Sequence, residues 1–106
     1  MNIQLIGDGI LIDERIKDIV ETKINIEIEK YLHDFDDDIK KATIRIEKKS
    51  RNLFKVNFDM RLPGSNGHIY SEEEGDELLN VIIALRHEVE RQVRDYKIIL
   101  QDPRLG

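Results

Sequence analysis

Residues 54–62 alternate in chemistry with a period of two. Phe54, Val56, Phe58, Met60 and Leu62 fall on one side, and Lys55, Asn57, Asp59 and Arg61 on the other. Successive side chains of a strand point to opposite faces, so the pattern asks for a strand with one wet and one buried face. Pro63-Gly64 and Asn66-Gly67 follow, residue pairs that favour tight turns. A short strand is expected over residues 68–71. The period then changes. Leu78, Ile82, Leu85, Val89, Val93 and Tyr96 lie three or four residues apart, the spacing that lines one side of an α-helix. That stripe needs a surface to cover and the apolar strand face needs a cover, so the two are expected to pack together.

The preceding residues supply the other half of such a domain. Ile3 and Leu5 share one face of a short strand over residues 2–6, and Gly7-Asp8-Gly9 marks a turn. Asp13 is placed to cap a helix, with Glu14 at its positive end. The helix is expected over residues 14–32, along Ile16, Ile19, Val20, Lys23 or Ile24, Ile28, Tyr31 and Leu32. Residues 24–28 alternate and are rich in β-branched side chains, but the helical spacing continues on both sides and no breaker intervenes. A second strand is expected over residues 42–49, with Ala42, Ile44 and Ile46 inward, and Ser50-Arg51-Asn52 as its hairpin connection. The order is then strand, helix, three strands in a meander, helix. Each helix has one stripe and the strands alternate, so both helices belong on one face of a four-stranded sheet, an α+β fold. Residues 1–100 form one domain in this reading, and residues 101–106, with Pro103, a short tail.

The chain carries a net charge of −5, which taken alone argues against a nucleic-acid partner. The charges are segregated, however. Residues 1–39 hold four basic and eleven acidic side chains, whereas residues 40–61 hold eight basic and two acidic. Arg45, Lys49, Lys55 and Arg61 are expected on the open face of adjacent strands, partly offset by Glu47 and Asp59, with Lys48 and Arg51 beside the hairpin turn. On the last helix His87, Arg91 and Arg94 step by four and three residues, with Lys97 near the end. Residues 72–77 are expected at that helix's opposite end, as exposed acid favoured by its positive N-terminus. Charge runs also serve solubility, the plainer reading of the same pattern.

Parts for catalysis are missing from the sequence. It has no cysteine, no Gly-x-Ser-x-Gly and no phosphate loop, and Gly64-Ser65-Asn66-Gly67 joins strand to strand. Residues 33–38, HDFDDD, lack the central glycine and ligand spacing of a calcium loop, so a solvated turn is expected there. No cofactor, metal or small-molecule substrate is expected. The absence of cysteine fits a reducing compartment. The first residues have neither a basic start nor a long apolar run, so no signal peptide is expected, and no stretch approaches a membrane span.

Several short motifs together resemble a known family. They are Met1-Asn2-Ile3-Gln4 with Gly7, Ile16 to Val20 followed by Lys23, and Leu62-Pro63-Gly64. Glu73-Glu74-Gly75-Asp76 leading to Ile82 to Leu85 is another, as is Glu90-Arg91-Gln92-Val93 before Tyr96-Lys97. In order and spacing, over residues 1–97, they resemble the ribosome hibernation promoting factor and ribosome-associated inhibitor group, also described as sigma-54 modulation proteins. The resemblance implies a β-α-β-β-β-α fold similar to double-stranded RNA-binding domains. It also implies binding in the decoding region of the small ribosomal subunit, and inhibition of translation under stress. Long members carry a further C-terminal domain that pairs ribosomes, so a chain of this length is expected to be a short form or one domain of a longer protein, unable to pair ribosomes alone. Residues 24–31 hold one residue more than the family pattern, and Glu88 and Asp95 stand where members usually have basic residues.

The resemblance carries an RNA-binding role to Lys23, Arg45, Lys48, Arg91 and Lys97. The face argument adds Lys49, Lys55, Arg61 and Arg94. The expected partner is the small subunit with its rRNA, in the cytoplasm, with the protein monomeric off the ribosome and no membrane involved. The alternative is a regulatory module that binds another protein through its acidic surface; a small enzyme ranks last.

Overall fold

The computed structural model describes residues 1–101. Strand β1 (Asn2–Asp8) leads into helix α1 (Glu14–Val20), a π-helical turn (Glu21–Asn25) and helix α2 (Ile26–Leu32). A 3-10 turn (Asp37–Ile39) precedes β2 (Lys41–Ser50), β3 (Leu53–Arg61), β4 (His68–Gly75) and α3 (Leu78–Gln101). The sheet order is β1-β2-β3-β4. β1 runs parallel to β2, and the other pairings are antiparallel. The fold is the expected α+β arrangement, with both helical layers on one face. Gln101 is the last residue of α3; the rest of the expected tail lies outside the described residues.

The first helical layer follows from its spacing. Asp13 caps α1, its Oδ1 accepting from the Ile16 amide at 2.9 Å. Ile16, Val20, Ile24, Ile28 and Leu32 are all buried, each four residues after the last. In an α-helix a step of four overshoots a full turn by about 40°, so four such steps would carry the stripe about 160° around the axis. The wider π turn in the middle advances less per residue and brings the stripe back under the sheet. A strand over residues 24–28 would have put Ile26 beside Ile24 and Ile28; instead Ile26 is 48% exposed and the other two are fully buried.

The core joins this stripe to Val81, Ile82, Leu85, Val89, Val93 and Tyr96 of α3 and to the inward residues of the strands. Phe58 is central and fully buried. The β3–β4 turn closes when the Leu62 amide donates to the Gly67 carbonyl at 2.7 Å. Gly64 takes φ +95°, and a Cβ on Gly67 would stand 1.9 Å from the Leu62 carbonyl oxygen, so both positions require glycine. The Tyr96 hydroxyl donates to the Pro63 carbonyl at 2.8 Å and locks α3 to this turn.

Strand β4 is longer than the expected 68–71. It runs on through Glu72, Glu73 and Glu74, which pair with Asn57, Val56 and Lys55. Glutamate has little intrinsic taste for strands, but cross-strand partners decide strand stability more than propensity does. Only Asp76 and Glu77 precede α3. The acids expected at the far end of that helix are therefore mostly in the sheet.

Candidate nucleic-acid interface

The registers order the open face of the sheet into rows. Gln4, Thr43, Asp59 and Tyr70 lie side by side, and so do Ile6, Arg45, Asn57 and Glu72. Asp8, Glu47, Lys55 and Glu74 make the row nearest the β2–β3 hairpin. At the other end Asn2 is opposite Lys41, and Arg61 is opposite His68. The basic side chains of this face are Lys41, Arg45, Lys49, Lys55 and Arg61, and the acidic ones are Asp8, Glu47, Asp59, Glu72 and Glu74. They balance. The sequence showed Glu47 and Asp59 as the only offsets; the long β4 and the end of β1 bring in the other three.

Ion pairs set which cations remain open. Lys55 Nζ lies 2.7 Å from Glu72, and this hydrogen bond raises the lysine's pKa. Lys49 is 4.0 Å from Glu74 and Arg45 3.8 Å from Asp8, both looser contacts. Asp59 faces His68 at 3.1 Å. Among the described residues, Lys41 and Arg61 have no ion-pair partner. Positive charge on this face therefore collects away from the hairpin, at the Lys41 and Arg61 end.

The remaining expected residues lie elsewhere. Lys23, in the π turn, and Arg91, Arg94 and Lys97, on α3, belong to the helical layer, across the sheet from the open face. Lys48 has the inward register, opposite Phe54, and its ammonium sits 5.7 Å from the Phe54 ring centroid at the hairpin end. So the nine residues do not form one patch. In a two-layer domain, the sheet's free face and the helices' outer surface point in opposite directions. Arg91 is held by Glu88 at 2.5 Å and Asp95 at 3.0 Å. Lys97 is held by Asp34 at 2.7 Å and stands 5.0 Å from the Phe35 ring centroid. Arg94 is exposed, and among the described residues it and Lys23 have no ion-pair partner.

The acidic segment before β2 works largely inside the molecule. Asp34 takes Lys97, which holds the carboxyl below its usual pKa. Buried Lys40 bonds Glu29 and lies 3.4 Å from Asp37. Among the described residues, no group of three His, Asp or Glu side chains gathers as a metal site.

Two contributors were not singled out in the sequence. Lys41 was overlooked because it precedes the first clearly alternating residue of its strand. Gln92 carries no structural expectation beyond its place in the motif Glu90-Arg91-Gln92-Val93, yet its side-chain amide accepts from the Tyr70 amide at 3.0 Å and donates to the Tyr70 carbonyl at 2.6 Å. It occupies the outer edge of β4 as a neighbouring strand would.

A family model described as Sigma 54 modulation protein / S30EA ribosomal protein matches residues 3–100. The chain belongs to this family. The ribosome hibernation promotion factor of Staphylococcus aureus (strain COL) is 30% identical to the S30EA-family chain over 91 residues, 86% of the chain and 45% of the relative. The chain thus spans about half the length of that curated relative. The crystal structure of the Thermus thermophilus Protein Y N-terminal domain superposes with a TM-score of 0.75 at 28% identity, over 91% of this chain and 99% of that one. A ribosomal subunit interface protein from Coxiella burnetii gives 0.67 at 27% identity, over 92% and 99%. Both superpositions extend over more than nine-tenths of the S30EA-family chain.

Proposed function

We propose that this S30EA-family chain is a ribosome-associated hibernation factor that acts without catalysis, as one domain over residues 1–100, by occupying the RNA-lined decoding region of the small subunit in the cytoplasm. The observation that carries this reading is that cations without an ion-pair partner among the described residues stand on both sides. Lys41 and Arg61 are among those on the sheet, and Lys23 and Arg94 among those on the helical layer, across a slab whose shortest extent is 18 Å. A protein that docks on one flat surface needs one charged face. A protein wedged into a channel between RNA walls meets phosphate on both. The names of the relatives support the ribosome as partner.

Arg45, Lys48, Lys49, Lys55, Arg91 and Lys97 contribute in this reading by exchanging a carboxylate or ring partner for phosphate. That exchange costs part of the electrostatic gain, so binding depends mostly on the open cations. The test is co-sedimentation with purified small subunits in sucrose gradients at low and high salt. Binding that fades steeply with salt is expected. Salt-insensitive binding to a single protein partner, with none to subunits, would replace this reading by the protein-interaction module.

A further inference from the structure

The cationic end of the sheet contains a feature that charge alone does not explain. A depression of about 780 Å³ opens on the bare face, with Lys41, Thr43, Arg45, Asn57, Arg61 and Tyr70 among its lining residues. Tyr70 is an aromatic side chain on the wet face of an edge strand, 43% exposed. Its backbone is fixed on both sides, by the β3 pairing and by Gln92. The ring is therefore presented on a rigid support. Asp59, opposite Tyr70 in the register, is turned to His68 at 3.1 Å, and of the other lining charges Lys41, Arg61 and the single acid Asp38 have no ion-pair partner among the described residues.

We propose that this depression binds an unpaired RNA nucleotide, its base stacked on Tyr70 and its flanking phosphates met by Lys41 and Arg61. The proposal rests on the RNA-binding reading above and specifies the kind of RNA. Stacking on an aromatic ring needs a base free of its own stack, and single strands supply that whereas an A-form duplex does not. A depression of about 780 Å³ has room for one or two nucleotides. Thr43 and Asn57 offer hydroxyl and amide groups for the base edge or a ribose. Arg45, loosely tied to Asp8 at 3.8 Å, lies one row further along and extends the phosphate track.

The test is fluorescence anisotropy with a labelled twelve-nucleotide oligouridylate, with small-subunit co-sedimentation run in parallel. Tyr70→Ala is expected to weaken oligonucleotide binding roughly 5- to 150-fold, the range for loss of one stacked base. Tyr70→Phe, which keeps the ring, is expected to retain it. Lys41→Ala with Arg61→Ala is expected to flatten the salt slope by about 1.4, two single-strand phosphate contacts. In nuclear magnetic resonance spectra the Tyr70 ring protons should shift upfield as the oligonucleotide is added, which a merely structural tyrosine would not show. The proposal is overturned if Tyr70→Ala binds like the wild type. It is also overturned if a duplex RNA competes as well as the single strand, or if the wild type binds no oligonucleotide. Subunit binding that survives any of these results leaves the ribosomal reading standing. Oligonucleotide binding without subunit binding overturns the ribosomal reading alone.

Discussion

Replacing Glu72 and Glu74 together by glutamine keeps the size of both side chains and the length of β4 while removing two negative charges. Glu72 holds Lys55 at 2.7 Å, and Glu74 stands 4.0 Å from Lys49. The double variant frees both ammonium groups and takes the open sheet face from balance to a surplus of two positive charges. Exposed pairs contribute little to stability, and Glu72 and Glu74 are 41% and 49% exposed, so the fold is expected to survive. If each freed lysine meets one phosphate, the slope of log K against log salt steepens by about 0.7–0.9 per contact. Two contacts give about 1.4–1.8, so lowering salt from about 200 to about 50 mM should tighten the variant about 7- to 12-fold more than the wild type. The assay is subunit binding at three or four salt concentrations. Asp18→Asn with Asp36→Asn makes the same change in net charge away from the sheet face, at two exposed acids that have no ion-pair partner among the described residues. That control should leave the slope nearly unchanged. A Glu72→Gln, Glu74→Gln variant with the wild-type slope would show that the sheet face meets no phosphate, and the reasoning from its rows of charge would fall.

Three further outcomes are expected. Phe58→Ala, at a fully buried position, should cost about 3–5 kcal/mol in urea unfolding; a loss below about 1 kcal/mol would contradict its place at the centre of the core. Because Lys97 lowers the pKa of Asp34, their pair stabilises the fold above the ordinary carboxylate range and loses that contribution as pH falls through the depressed value. Melting curves of Asp34→Asn and wild type should therefore differ at neutral pH and converge in strong acid, and a gap that widens in acid would refute the assignment. Gln92→Ala should speed hydrogen exchange at the Tyr70 amide, whose partner is the Gln92 side chain, and lower stability by about 0.5–1.5 kcal/mol; unchanged exchange would mean that the edge is protected by something else.

The sequence pattern carried the fold where two independent signals agreed. The alternation through Val56, Phe58 and Met60 and the stripe from Ile82 to Tyr96 each define a buried face, and each face needs the other. It carried the interface less well, because charge in a sequence has no address until strands are paired. Lys55 looked open along its own strand; its neutralising Glu72 is seventeen residues away, in a segment that resembles a helix leader. A signal was there to find: Tyr70, Glu72 and Glu74 continue the alternation of Ile69 and Ser71. The π turn was also written into the chain, as five buried positions spaced by four, a period that a plain α-helix cannot keep on one side. Gln92 left no trace, since a glutamine on a charged helix surface has no pattern that marks it as an edge cap.

The widened turn at Glu21–Asn25 has a consequence for comparing this chain with its relatives. A residue added inside a uniform helix rotates everything beyond it by about 100°, which would turn a buried stripe outward. A local change in pitch such as this one can absorb an added residue, so a helix that carries it can differ in length from one that does not while both ends of the rod keep their bearings. Against a helix that lacks such a turn, an alignment drawn without a gap here would equate residues that point in different directions. Lys23 lies within the turn itself, so its counterpart in any relative has to be found by superposing the rods, not by counting along them.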